Sequence, residues 1–521
     1  MCHWFNSRQH HKRSLGDIRG LVCIKGLIYR IMYSFLISIV ALIVGYIFYS
    51  RFVEKVFKPD PKRVTPAVSM ADGVDYVPMP WWKVYLIQFL NIAGTGPIFG
   101  AIMGAKFGPS SYLWIVFGAI FAGGVHDFFT GMISERHGGA SLPDLVGNYM
   151  SKSAKTAMLI ISMLLLLLVG TVFVYSPALI LGDIAGDGTT RSVFIWTLVI
   201  FLYYVLATVM PVDKIIGRIY PVFAFCLLFM AVSLFVCLII KWPSLPEFWD
   251  GLSNLGADKG LTGMSSQPIF PCLFITIACG AISGFHATQS PIMARCIVNE
   301  KNGRQIFYGS MMTEGLVALV WAAVSSYFFF DGGAAAVGSN LSASAPTVVN
   351  KVAVSWLGIF GGILAVIGVV AAPITSGDTA FRSARLIIAD FFKISQKPKI
   401  NRIVLALPLF ALTILLLWFN IADEDGFNVI WRYFGWANQT LAAFTLWLAS
   451  IYLVQKEKGR YFLITALPAS FVTSVTVTYF CVEKICLGLS VEWIPAISFS
   501  SFIVSFMLFL QWRYLYYKKV R

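Results

Sequence analysis

The sequence predicts an all-α polytopic membrane protein of about 13 transmembrane helices, built on a five-plus-five inverted-repeat core whose first and sixth helices are broken. Three observations carry that prediction. Of the 521 residues, 58% are hydrophobic and only 12% charged, with a mean hydropathy of +0.76; a soluble domain carries about 25% charged residues. Runs of about 18 or more nearly uncharged residues, each long enough to cross a bilayer as a helix, recur from end to end. Two of these runs, 88–105 and 278–293, are interrupted by glycine and proline.

Residues 1–30 form a basic, polar N-terminal extension without a signal-peptide pattern. A first span is predicted at 31–50, followed by a cytoplasmic loop at 51–83 whose prolines and aspartates favour turns. Ten hydrophobic segments come next, at 84–105, 110–133, 155–182, 191–210, 217–240, 269–292, 305–330, 350–372, 402–419 and 432–454. Five and five, they divide into a first repeat, 84–240, and a second, 269–454. Two accessory spans, 461–480 and 494–515, complete the last region, 461–521. The segment 377–392 reads as an amphipathic helix on the cytoplasmic surface.

Lysine and arginine orient the chain. With the odd-numbered loops inside, 27 Lys and Arg fall on the inner side and 7 on the outer side after residue 50. The C-terminus is therefore expected in the cytoplasm. The cations of 1–30 run against this bias. A natural start at Met32, with residues 1–31 an upstream extension, removes the conflict.

The Gly94-Thr95-Gly96-Pro97 tetrad is a poor helix former, since glycine costs about 1 kcal/mol and proline about 3 in a helix interior. In hydrocarbon an unpaired backbone group costs several kcal/mol, so a break survives only where protein or a water-filled cavity satisfies it. The second break, ACGAISGFHATQSPIM, places Gly280, Gly284 and Pro291 among Ser283, His286, Thr288 and Gln289. Breaks at matching positions of inverted repeats point to a substrate site at the membrane midplane. Half-helix N-termini suit an anion, and freed carbonyls suit a cation. The alternative is helix packing through small residues, as in GAIMG at 100–104.

No Walker A pattern suggests ATP-driven pumping, and the nine cysteines show no metal or redox spacing. Cys481 and Cys486 share one loop, which leaves a disulfide open. The net charge of +15 marks cytoplasmic loops, not nucleic-acid binding. The scattered His126, His286, Asp127 and Glu314 do not make a catalytic set by spacing, so no enzyme is expected, and no cofactor.

Five motifs, NIAGTGPIFGAIMGAKFG, GVHDFFTGMISERHGGASLPDLV, TPAVSMADGVDYVP, PCLFITIACGAISGFHATQSPIMARC and GWANQTLAA, together resemble the carbon-starvation protein A (CstA) family, over about 33–454. The resemblance implies a bacterial inner-membrane transporter for peptides or pyruvate under carbon starvation, with a fold like that of the amino-acid–polyamine–cation transporters.

Substrate contacts are expected at Gly94, Thr95, Gly96, Gly284, His286, Thr288 and Gln289. Coupling to protons or sodium is expected at Asn91, Asp127, Glu314, Thr375 and Ser376. An ionisable group inside a membrane is costly and defaults to a functional reading. For Asp127 the alternative is a salt bridge at the cytoplasmic end near Glu135-Arg136; for Glu314 it is pairing with an arginine from the 292–305 loop. His286 either serves substrate or proton, or is merely hydrogen-bonded. Thr375 and Ser376, with the carbonyls of Asn91 to Gly94, would hold a sodium ion in sodium-coupled relatives of the fold; the alternative is a helix stop. Trp436, Asn438 and Gln439 gate the path or anchor at the interface. The expected partners are a small-molecule substrate and the lipid bilayer. The expected function is cation-coupled import of a small carbon source, with a nutrient sensor as the alternative.

Overall fold

The computed structural model describes residues 32–520 apart from 186–188, 210–211, 262, 332–344, 397, 424–425, 457–458 and 485. The expected extension at 1–31 lies outside the described residues. The described chain is helical, with one isolated bridge between Met79 and Ile297. Among the described residues, ten helices are long and apolar enough to cross a membrane, or eleven if one bent pair counts as a span.

The elements are α1 (Tyr33–Phe57), α2 (Trp81–Ile92), α3 (Gly96–Ala105), α4 (Ser110–Arg136), α5 (Lys152–Ala185), α6 (Thr190–Val209), α7 (Val212–Lys241), α8 (Ile269–Thr276), α9 (Gly284–Ala294), α10 (Glu300–Phe330), α11 (Ala345–Phe392), α12 (Lys399–Ala422), α13 (Gly426–Gln455), α14 (Leu463–Val482) and α15 (Ile494–Val520). The orphan donors at the start of α1 are capped from afar: Tyr33 N–H and Ser34 N–H donate to Glu247 at 2.9 and 2.7 Å.

Both expected breaks are present. Helices α2 and α3 meet at a 48° bend. Helices α8 and α9 are separated at 277–283, where Gly280 has φ +90°, a conformation that only glycine adopts without strain. Packing and breaking turn out to be one device. Gly96, Gly100 and Gly104 recur at every fourth residue of α3. A Cβ on Gly96 would collide with Cys279, one on Gly100 would stand 2.9 Å from the Thr276 carbonyl, and one on Gly104 would collide with Ile277. The small-residue stripe therefore seats one break directly on the other.

Helix α4 reaches the same place by the same means. A side chain on Gly123 would meet the Ala281 carbonyl, and one on Gly124 the Tyr308 ring. The centre is thus α4, α10 and α13 around the two broken helices; the most apolar windows of α4 and α13 are each 83% buried. Helix α15 is only 6% buried and faces outward.

Two expectations need correction. Thr375 and Ser376 do not close a helix: α11 runs on to Phe392, its one non-helical residue being Gly358. Nor does 377–392 lie on the surface, because Asp378, Thr379, Arg382, Ser383 and Arg385 are all buried. Their polar face bonds inside the protein: Ser383 donates to the Thr288 carbonyl at 3.0 Å and Arg382 to the Ala207 carbonyl at 2.9 Å. Cys481 and Cys486 are free thiols, not a disulfide.

Candidate functional site

Asp127 on α4, His286 on α9 and Glu314 on α10 come together. Asp127 accepts from His126 Nδ1 at 2.7 Å and from His286 Nδ1 at 2.8 Å. With Asp127 ionised, which makes it an acceptor only, each of these ring nitrogens would carry its hydrogen. The other nitrogen of His286, Nε2, stands 3.2 Å from Glu314 Oε2, yet lacks the alignment of a hydrogen bond. All four side chains are buried. The pairings considered as alternatives do not form. Arg136 binds Glu300 at 3.0 Å and Arg304 binds Glu54 at 2.9 Å, so neither arginine neutralises Asp127 or Glu314.

The second break is held by α13. Asn438 Oδ1 accepts from the Ser283 hydroxyl at 3.0 Å and from Phe285 N–H at 2.7 Å, capping the start of α9. Gln439 Nε2 donates to the Phe274 and Ile282 carbonyls at 3.1 and 3.2 Å. Sequence reasoning placed these two residues at a gate or an interface; they are instead the partners that the break requires. Trp436, read the same way, ties α13 to the Thr476 carbonyl at 3.1 Å. Gly284 lies against the backbone of α13. Thr288 donates to the Phe285 carbonyl at 2.6 Å, and Gln289 donates to Thr288 at 2.9 Å.

The first break is different. Gln88, Asn91 and Thr95 are fully buried, and none of their side-chain polar atoms has a hydrogen-bond partner. Gln88 was not among the expected site residues. The signal was present, since positions 88, 91 and 95 share one helical face in an otherwise apolar run. Gly94 faces Phe173 and Ser376. The expected sodium pair splits. Ser376 donates across to the Leu90 carbonyl at 2.9 Å. Thr375 donates to Ala371 and Ala372 of its own helix at 3.0 and 2.8 Å. Its carbonyl accepts from the Tyr220 hydroxyl at 3.1 Å, which also donates to Asp378 at 2.8 Å.

Chemically, the region offers two things side by side. One is a buried imidazole–carboxylate chain able to hold a proton or a cation. The other is a set of amide and hydroxyl groups whose hydrogen-bonding capacity is unspent. One further group joins the first: Cys279 Sγ, His286 and Glu314 place ligand atoms within 4.8 Å of one another.

Comparison with known proteins bears on this arrangement. The family model described as carbon starvation protein CstA matches residues 31–180, 182–358 and 332–479. An uncharacterized membrane protein of Haemophilus influenzae is 47% identical over 57% of this chain and 91% of its own length. The peptide transporter CstA of Campylobacter jejuni is 28% identical over 87% of this chain and 80% of its own. The pyruvate/proton symporter BtsT of Escherichia coli is 29% identical over 54% of this chain and 47% of its own. In fold, the chain resembles a manganese transporter of Eremococcus coleocola, with a TM-score of 0.52 and 13% identity over 86% of this chain and 98% of that one.

Proposed function

The chain belongs to the carbon starvation protein CstA family, and from that membership we propose that it is a cation-coupled secondary transporter importing a small carbon source, a peptide or a pyruvate-like carboxylate. We further propose that it lies in the bacterial inner membrane with its C-terminus in the cytoplasm. Its spans number about thirteen, ten of them in two inverted five-helix repeats.

One observation carries the reading: two broken helices meet in the buried centre beside ionisable groups whose ion-pair partners, among the described residues, include no lysine or arginine. Such groups are costly in a membrane, so their presence points to a functional role. In this reading the N–H groups at Gly94–Gly96, with Gln88, Asn91 and Thr95, receive the substrate's carboxylate and its other polar atoms. Leaving a buried polar atom unpaired costs about 1–3 kcal/mol, so a ligand that pairs five of them gains affinity by relieving that cost.

Asp127 and Glu314 are the groups that would carry protons, with His286 between them. A proton is favoured over sodium because titratable Asp127, His286 and Glu314 stand together in the centre, whereas the hydroxyls of Thr375 and Ser376 bond in different places, to Ala371 and to Leu90. The names of the peptide and pyruvate/proton relatives support the substrate classes.

The test is uptake of labelled pyruvate and of a labelled dipeptide into proteoliposomes under an imposed proton or sodium gradient. Accumulation driven by the proton gradient is expected. Absence of uptake under either gradient would reject the proposal, and binding without accumulation would favour a sensor.

A further inference from the structure

We propose that Cys279, His286 and Glu314 form a site for a single thiophilic divalent metal ion, of the zinc or cobalt type, at the second break. The three ligand atoms already lie within 4.8 Å of one another. A tetrahedral zinc site with bonds of about 2.0–2.3 Å holds its ligands about 3.3–3.6 Å apart, so closure needs a shift of about an ångström. The available atoms are the right ones. His286 Nδ1 is taken by Asp127, which leaves Nε2 as the ring atom facing the cluster, 3.2 Å from Glu314 Oε2. That nitrogen and both oxygens of Glu314 are buried and without a hydrogen-bond partner.

The surroundings are those of a metal site. A ligating histidine usually donates its other N–H to a carboxylate, which fixes its tautomer and orientation; Asp127 does this at 2.8 Å. The sulfur is positioned as well. Cys279 Sγ stands 3.4 Å from the Ser283 hydroxyl and 3.6 Å from Asn438 Nδ2, and Asn438 itself caps α9. Among the described residues, the ion-pair partners of Asp127 and Glu314 are histidines alone. A divalent cation would supply the missing positive charge. The mixed sulfur, nitrogen and oxygen donor set selects zinc-like metals over magnesium or calcium, which want oxygen ligands throughout. Three protein ligands leave a fourth position open.

The inference rests on this geometry and does not need the transport reading. One consequence does: a metal ion and a proton would compete for the same lone pairs, so zinc should inhibit uptake.

The test is titration of the purified full-length protein with Co2+, read by absorbance. One equivalent should give the visible bands of tetrahedral cobalt and a thiolate-to-cobalt charge-transfer band, both erased by Zn2+. Cys279→Ser should remove the charge-transfer band, while Cys296→Ser, at a buried thiol outside the cluster, should retain it. Asp127→Asn should weaken binding by about 10–100-fold. An octahedral spectrum without the thiolate band, or a band that survives Cys279→Ser, would overturn the proposal. If Cys279→Ser does not fold, Glu314→Gln decides, and unchanged cobalt affinity there would overturn it equally.

Discussion

At the second break, the Phe285 amide, the Ser283 hydroxyl and the carbonyls of Phe274 and Ile282 all find partners in Asn438 and Gln439. At the first, the side chains of Gln88, Asn91 and Thr95 hold polar atoms that meet nothing. Both breaks lie in the same buried centre and touch through Gly96 and Cys279. The difference is therefore one of hydrogen-bond partners, not of burial. At the second break the protein itself pairs the freed backbone groups, which supports α9 and His286, although the side-chain atoms His286 Nε2, Gln289 Oε1 and Gln439 Oε1 stay unpaired. At the first, it is the side chains of Gln88, Asn91 and Thr95 that go unpaired, which is what the proposed substrate role uses. Substitutions at the two breaks should accordingly shift stability in opposite directions.

The largest effect is expected at the support itself. Asp127→Ala removes the acceptor for both His126 and His286. Removing one partner of a buried charged pair costs about 3–5 kcal/mol. Thermal unfolding in detergent should show a clear drop, and uptake should be lost. An unchanged melting temperature would mean that Asp127 is not the hub of a folded network. Asn438→Leu comes next. It strips the cap from Phe285 N–H and the acceptor from Ser283, and leaving such groups unsatisfied costs about 1–3 kcal/mol each. A loss of about 2–4 kcal/mol is expected, read by the same unfolding assay. A neutral result would show that the second break can satisfy itself and would erase the contrast.

These two residues also mark how far the sequence was legible. Helices follow from local hydropathy, and the breaks follow from glycine and proline within them, so both could be read along the chain. Asp127, His286 and Glu314 stood out because charge inside an apolar run is rare. The partners could not be read. Asn438 lies 153 residues from the amide it caps, and its neighbours look like any interfacial cluster. Arg382 and Arg385 misled for a related reason: polar residues at helical spacing look the same whether their face meets water or the interior. Gln88 was readable from its register with Asn91 and Thr95, but a polar residue near the start of a span usually passes as an interfacial one.

Asn91→Leu tests the first break with the opposite sign. An unpaired buried amide replaced by an apolar side chain of similar size should be neutral or stabilising, by about 1 kcal/mol. Uptake should fall sharply. Loss of both stability and uptake would mean that Asn91 already has a hydrogen-bond partner in the folded protein, and the contrast between the two breaks would not hold.

The smallest effect should separate Thr375 from Ser376, which sequence reasoning treated as a pair. The Ser376 hydroxyl crosses from α11 to the Leu90 carbonyl, one of the groups exposed as α2 ends. The Thr375 hydroxyl bonds only to carbonyls of its own helix, which intrahelical bonding already serves. Ser376→Ala should therefore cost about 1 kcal/mol, the usual net worth of a hydrogen bond, and Thr375→Val about half that or less. Unfolding measurements on both variants, repeated with and without sodium, check the ordering. If sodium stabilises the parent protein and the two substitutions abolish that effect equally, the hydroxyls act together on a cation. The first break would then be completed by sodium as well as by substrate. If sodium changes nothing and only Ser376→Ala weakens the protein, the pair divides into one tie between helices and one spectator.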